Sequence, residues 1–185
     1  MTSRAVETTL LIPVLEADGA LAGGQLGRDT RGARLPAHIT VLYPFAPIAE
    51  IASRQSELSA AVESTPAFDF ILDKIAWFGK EVVYLAPTPD QPFVQITRQV
   101  TTVFPNHKPY GGAFVDTIPH LCVAERASAV RMRWAARRAR RLLPLRARAA
   151  EAWLMADPQD GSGWQRLEVF PLGTSDTHRG DASQG

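Results

Sequence analysis

The feature that most constrains the fold is an internal repeat in the order of the predicted secondary-structure elements. A strand that begins HITV at His38 is followed by a helix, a long strand, a turn and another strand. The same order restarts with HLCV at His120, nearly half a chain length later. A repeat of whole supersecondary units indicates a duplicated fold. The sequence therefore predicts two similar αβ lobes, related by an approximate twofold axis, with the two histidine strands facing each other across a cleft.

The individual elements are predicted from hydrophobic periodicity and from turn residues. Gly79 and Lys80 separate two β-like runs and predict a hairpin, and Ser128 predicts the N-cap of a helix. Residues 17–34 are rich in Gly and Arg and predict a loop with a short helix. The predicted strands cover residues 7–14, 38–43, 68–78, 81–86, 117–124, 145–155 and 164–170, and the predicted helices cover residues 48–62, 92–104 and 128–143.

Length and composition limit the classes of protein to consider. With 185 residues and a net charge of +1, the chain predicts one bilobal domain over residues 1–172, followed by a flexible tail over residues 173–185. Its one cysteine, Cys122, excludes an internal disulfide and argues against a cysteine-based zinc site. The N-terminal apolar run is short for a signal peptide, and no stretch is long enough to span a bilayer. We therefore expect a cytoplasmic monomer with no membrane partner.

The two histidine strands share one pattern. Alternate residues of a strand point to the same face, so His38 shares a face with Thr40, and His120 shares a face with Cys122. Two imidazoles that titrate near neutral pH can act as base and acid, and neighbouring hydroxyls can hold phosphate oxygens. Such a pair can open or close a 2′,3′-cyclic phosphodiester without a metal ion. The pattern does not indicate which histidine is the acid.

The stretches PAHITVLYPF, PYGGAF and PHLCV resemble the 2H phosphoesterase superfamily, in particular bacterial proteins named for 2′-5′ RNA ligase activity. The resemblance extends from Glu7 to Leu172 and rests on two H-x-[T/S]-x motifs. It implies an α+β, bilobal, pseudo-twofold fold with antiparallel sheets lining a central groove. It also implies hydrolysis of 2′,3′-cyclic or 2′-5′ phosphodiesters, or the reverse joining of RNA ends, with no metal and no cofactor. The expected partners are RNA ends or small nucleotides.

Carried over by motif, the resemblance makes His38 and His120 the catalytic residues, with Thr40 and Cys122 in the phosphate-binding positions. Cys122 departs from the motif, because a thiol donates a weaker hydrogen bond than a hydroxyl. Because of this departure, one alternative function is a catalytically weak module that only binds nucleotides or RNA ends. A third alternative is a scaffold without a ligand. Cys122 could also be a small buried apolar residue, and either histidine alone could be structural.

Four further residues are candidates for contacts with the substrate. Tyr43 and Phe45 could stack on a base, or could pack in the core. Lys108 and Tyr110 precede the second motif in a Gly-rich loop; Lys108 could hold a phosphate or remain solvated.

An arginine-rich segment follows the second motif. Residues 126–148 contain nine arginines and no acidic residue. On the predicted helix 128–143, the arginines lie away from an apolar stripe. That face could meet RNA phosphates, or could simply be solvated. The sequence does not place it relative to the groove.

Overall fold

The computed structural model describes residues 6–21, 35–112 and 117–174. The helices in these ranges are α1 (Leu15–Leu21), α2 (Ile48–Ser53), α3 (Gln55–Glu63), α4 (Gln91–Val103) and α5 (Ala129–Arg140), together with a short 3-10 helix at Pro109–Gly112. The strands are β1 (Glu7–Pro13), β2 (His38–Leu42), β3 (Phe68–Phe78), β4 (Val82–Thr88), β5 (Leu121–Glu125), β6 (Leu145–Ala149), β7 (Glu151–Asp157) and β8 (Gln165–Pro171).

All eight strands belong to one sheet, in the order β6-β3-β4-β5-β2-β1-β7-β8. Every neighbouring pair is antiparallel. The predicted α+β fold with antiparallel strands is therefore confirmed. The two motif strands, β2 and β5, are hydrogen-bonded neighbours at the centre of this sheet, rather than strands that face each other across a cleft.

The sheet must curl strongly, because β6 and β7 are joined through Ala150 alone. These strands are first and seventh in the sheet, so in a flat sheet they would lie about 29 Å apart. Two residues of chain span at most about 7 Å. Backbone hydrogen bonds close the same region, from Leu172 N to Ala150 O and from Gly173 N to Thr65 O, each 2.9 Å.

Each half of the sheet combines strands from both halves of the sequence. β3 and β4 pair with β5 and β6, whereas β1 and β2 lie beside β7 and β8. The single strand predicted over residues 145–155 is therefore wrong. It breaks at Ala150, because its first part pairs with β3 and its second part pairs with β1.

The helices pack against one face of the sheet and form the main core. α5 packs on β5, β4 and β3, and α4 packs on β2. Ser128 caps α5 as predicted, because its side chain accepts a hydrogen bond from Arg131 N. The predicted helix over residues 48–62 divides into α2 and α3 at Arg54, whose backbone is not helical.

Some predictions fall outside the described residues. They concern most of the loop predicted over residues 17–34 and, from residue 175 onward, the predicted tail. In the part of the chain that the structure describes, no helix combines the length and apolar character needed to cross a membrane.

Candidate active site

The two motifs meet where β2 pairs with β5. Ile39 is the cross-strand partner of Leu121, and both side chains are fully buried in the main core. Because side chains alternate along a strand, the residues that flank this pair project from the opposite face. The antiparallel register around Ile39 and Leu121 places His38 opposite Cys122, and Thr40 opposite His120.

The two motifs thus place four partly exposed polar side chains together on what we call the motif face. Its defining residues are His38, Thr40, His120 and Cys122.

Both histidines make the same hydrogen bond to a backbone carbonyl. The Nδ1–H of His38 donates to the carbonyl oxygen of Pro36, and that of His120 donates to the carbonyl oxygen of Ile118. Both distances are 2.7 Å, and both acceptors lie two residues before the histidine. A carbonyl can only accept, so it assigns the proton to Nδ1 and leaves Nε2 as the nitrogen that exchanges a proton with a ligand. The two imidazoles are therefore oriented alike for acid–base chemistry.

Aromatic rings surround His120. The ring centroids of Phe78, Tyr84 and Tyr110 lie 5.1, 5.4 and 6.4 Å from the centroid of its imidazole. Burial among these groups lowers the pKa of His120 below its ordinary value of 6.5, although the hydrogen bond to Ile118 and the charge of Glu125 oppose that shift. His120 is therefore neutral at pH 7 and able to accept a proton at Nε2.

A different cluster covers the motif face on the β1 side of His38. Leu11 pairs with Thr40 across β1 and β2, and it packs with Trp153 and Met155 in a core separate from the main one. The guanidinium of Arg166 lies 4.3 Å from the centroid of a Trp153 ring. This half of the face is therefore mainly apolar, with one cation at its outer side.

Tyr43 and Tyr110 are connected through the backbone. Tyr110 N donates to Tyr43 O at 2.7 Å, which ties the short 3-10 helix to the end of β2. Tyr110 has a φ of +52°, in the left-handed region that non-glycine residues seldom adopt. This conformation places its ring nearly parallel to the imidazole of His120, at an interplanar angle of 22°. The side chain of Tyr43 points elsewhere, edge-on to Trp164 at 6.5 Å.

Phe45 and Lys108 occupy opposite environments. Phe45 is only 7% exposed, and its ring lies 4.9 Å from that of Phe104. This placement matches the core-packing alternative, and we do not propose Phe45 as a substrate contact. Lys108 is exposed and immediately precedes the 3-10 helix that carries Tyr110.

Sequence reasoning singled out Tyr110 but not the other rings on the motif face. Phe78 and Tyr84 stack on each other at 4.2 Å, and Trp153 lies on the same face in the other half of the sheet, on β7. Each of these residues looks like an ordinary strand residue in the sequence. Only the pairing register shows that they share a face with a motif histidine.

The arginine-rich helix lies on the other side of the sheet. Met132 and Ala135 of α5 are buried in the main core together with Val123, which points away from the motif face. The exposed arginines of α5 include Arg133 and Arg137. They therefore project from the reverse side of the molecule and do not line the motif face.

No group of three or more His, Cys, Asp or Glu residues with the spacing of a metal site occurs in the described ranges. Among the four defining residues of the motif face, the two imidazoles are the groups that titrate nearest to neutral pH. The arrangement as described supports proton transfer by paired histidines.

Comparison with known proteins finds solved structures with a similar fold. Solved structures of similar fold include LigT from E. coli without ligand, with a TM-score of 0.58 and 14% sequence identity, covering 91% of this chain and 98% of that one. A crystal structure described as a phosphoesterase has a TM-score of 0.57 and 15% identity, covering 91% and 99%. LigT from E. coli complexed with 3′-AMP has a TM-score of 0.56 and 16% identity, covering 90% and 96%.

At these identities the likeness concerns the fold alone, and no curated protein sequence matches the chain. The family model of the 2′-5′ RNA ligase superfamily matches residues 16–161, which is most of the chain and includes both histidine motifs. The chain therefore belongs to the 2′-5′ RNA ligase superfamily.

Proposed function

We propose that this protein is a metal-independent phosphoesterase that hydrolyses 2′,3′-cyclic phosphates or 2′-5′ phosphodiesters of RNA or nucleotides. The observation that carries the proposal is the matched pair of imidazoles. His38 is the first residue of β2, His120 immediately precedes the adjacent β5, and the two share one face. Each donates a hydrogen bond from Nδ1 to a carbonyl two residues earlier. Two structural histidines would not need the same tautomer and the same orientation at the centre of one sheet.

The lowered pKa of His120 assigns the roles in this proposal. As a neutral imidazole, His120 takes a proton from water through Nε2, and the water oxygen forms a bond to phosphorus. The bond from phosphorus to one ribose oxygen breaks, and His38 gives its proton to that oxygen. With a ribose hydroxyl in place of water, the same steps join RNA ends: the hydroxyl oxygen gives its proton to His120 and bonds to the phosphorus of a 2′,3′-cyclic phosphate, and the ribose oxygen that leaves takes a proton from His38. No step needs a metal ion, since the two imidazoles supply both proton transfers.

Thr40 and Cys122 hold the phosphate between the histidines. Each lies across the strand pair from the histidine of the other motif. The Thr40 hydroxyl donates to a phosphate oxygen on the His120 side, and the Cys122 thiol makes a weaker contact on the His38 side.

The substrate base lies among the rings near His120, of which Tyr110 is partly exposed and stacks on the imidazole. Tyr43 borders the other half of the face beside Trp164, and the exposed Lys108, next to the 3-10 helix that carries Tyr110, is the proposed contact for a further phosphate oxygen. LigT from E. coli, which has a similar fold, has been crystallised with ATP, with 3′-AMP and with NADP+, and this supports nucleotides as ligands. RNA ends and small nucleotides are therefore the proposed ligands.

The test is hydrolysis of adenosine 2′,3′-cyclic phosphate and of a short RNA ending in a 2′,3′-cyclic phosphate, measured with EDTA present. We expect His38→Ala and His120→Ala each to lower kcat/KM by about a hundredfold or more. The matched control is His107→Ala, because His107 is bonded to Glu50 at 3.0 Å and belongs to neither motif. That variant should stay within about twofold of wild type.

Turnover that survives both motif variants would contradict the proposal. Tight nucleotide binding without turnover would instead favour the alternative that the Cys122 departure raised, a module that binds nucleotides or RNA ends. Circular dichroism of each variant separates a chemical loss from misfolding.

A further inference from the structure

A β-bulge in β3 turns Lys74 toward the motif face. The pairing of β3 with β4 shifts register between Leu72 and Lys74. Before the shift, Phe70 and Leu72 are buried in the main core; after it, Ile75 packs against that core. The inserted residue reverses the alternation, so Lys74 projects from the same face as Phe78, which contacts His120.

Lys74 lies in the same cross-strand row as His120. It pairs with Ala86 of β4, and the neighbouring pair of Leu85 with Leu121 places Ala86 opposite His120. Two strand spacings separate the Cα atoms of Lys74 and His120 by about 10 Å. Ala86, whose side chain is a single methyl group, is the residue between them in this row.

The side chain of Lys74 is exposed, and within the described ranges no carboxylate lies within ion-pair distance of its ammonium group. The adjacent Asp73 accepts a hydrogen bond from Thr88 at 3.3 Å. An ammonium group on a flexible four-carbon side chain, in the same row as His120, is suited to bind an anionic group of the substrate.

We propose that Lys74 binds a second phosphate of the substrate, the 5′-phosphate of the nucleotide whose 2′,3′-cyclic phosphate lies between His38 and His120. The inference rests on the proposed function and narrows its substrate class. The preferred substrates are nucleotides that carry a 5′-phosphate, or RNA ends in which the next internal phosphate occupies that place. Nucleoside 2′,3′-cyclic phosphates without a second phosphate lack this contact.

The experiment compares adenosine 2′,3′-cyclic phosphate with its 5′-phosphorylated form in wild type and Lys74→Gln. For the 5′-phosphorylated substrate, we expect Lys74→Gln to raise KM and lower kcat/KM by about tenfold, the loss of one charge-assisted contact at an exposed site. For the other substrate, kcat/KM should stay within about twofold. Lys74→Arg should retain most of the preference, because the charge is kept.

The matched control is Lys80→Gln, at the turn that follows β3. It removes the same charge and should leave both substrates unaffected. Equal effects of Lys74→Gln on the two substrates, or no effect on either, would overturn the inference while hydrolysis by wild type still supported the proposed function. Absence of hydrolysis of both nucleotides by wild type would instead reject 2′,3′-cyclic phosphates as substrates in the proposed function. Calorimetric affinities of the same two nucleotides for wild type and Lys74→Gln would then decide whether Lys74 binds the 5′-phosphate.

Discussion

The two halves of the motif face share a backbone arrangement and differ in almost everything around it. His38 and His120 make the same bond from Nδ1 to a carbonyl two residues earlier, at the same distance of 2.7 Å. Around His120, three aromatic rings remove water from the imidazole and lower its pKa. Across the sheet, on the β1 side of His38, the face carries Leu11 and Trp153.

The phosphate-binding positions differ as well, because a threonine stands in the first motif and a cysteine in the second. A duplicated fold can therefore keep one orientation of its histidines while their surroundings differ, and the surroundings of His120 lower its pKa. Two histidines at pseudo-symmetric positions therefore need not have equal catalytic roles. In the proposed mechanism, the half with the lowered pKa supplies the base and the other half supplies the acid.

The largest effect expected from this difference concerns the leaving group. A p-nitrophenolate ion leaves without protonation, so a p-nitrophenyl phosphodiester of a nucleoside should need the base and not the acid. We expect His120→Ala to lower kcat/KM for this substrate by about a hundredfold, and His38→Ala to lower it by less than about tenfold. The measurement is release of p-nitrophenolate by each variant, beside hydrolysis of adenosine 2′,3′-cyclic phosphate.

On the cyclic substrate, both variants should lose activity alike, and this serves as the internal control. If His38→Ala were the more damaging change with the activated leaving group, the assignment of the two roles would be reversed. If both losses stayed equal, the two halves would not divide acid and base in the way that their surroundings suggest.

The positions of the motif residues on their strands could be predicted from sequence, because strand alternation is a local property. It places His38 with Thr40 and His120 with Cys122 without any knowledge of tertiary structure. The adjacency of β2 and β5 could not be derived from alternation. It depends on pairing between strands that are distant in sequence. The break at Ala150 was not predicted for the same reason. The sequence of residues 145–155 is one continuous β-like run, but its first part pairs with β3 and its second part pairs with β1.

A smaller effect should follow from the unequal phosphate-binding positions. Thr40→Val keeps the shape of the side chain and removes a hydroxyl that can bond to phosphate, so kcat/KM should fall by about tenfold. Cys122→Val removes a much weaker donor and should lower kcat/KM by less than about threefold. Steady-state kinetics of the two variants on adenosine 2′,3′-cyclic phosphate tests the difference. Equal losses would mean that the thiol contributes as much as the hydroxyl.

Phe78 and Tyr84 beside His120, and Lys74 in the same row, were not predictable from sequence, because each depends on register and on bulges. β4 shifts register against β5 between Val83 and Tyr84, and β3 shifts against β4 just before Lys74. One extra residue reverses which side chains share a face. A strict alternation carried through 68–78 would place Lys74 with the core residues Phe70 and Leu72.

The smallest expected effect is a shift in the pH dependence of kcat/KM, which tests whether the rings around His120 set its pKa. Because burial lowers the pKa of His120, the protein should keep this base neutral to a lower pH than 6.5. The acidic limb of kcat/KM against pH should therefore lie below 6.5 in wild type. Phe78→Ala removes one of the covering rings, and the returning water should move that limb upward, toward 6.5. Trp77→Ala is the matched control. The ring of Trp77 is next to Phe78 in the sequence, is 40% exposed and points to the other face of β3.

The same shift has a consequence for stability. Since the pKa of His120 is lower in the folded state, the unfolded chain binds more protons between that pKa and 6.5, so the free energy of unfolding falls as pH drops through this window. Above 6.5 the contribution is complete, because both states are neutral there. Phe78→Ala raises the folded-state pKa and should therefore reduce the loss of stability between pH 7.5 and pH 5.5, as measured by urea midpoints, although the variant is less stable overall. If Phe78→Ala left the acidic limb of kcat/KM unchanged, or if Trp77→Ala moved it equally, the rings would not set the protonation state of His120. The division of acid and base roles between the two halves would then need another physical cause.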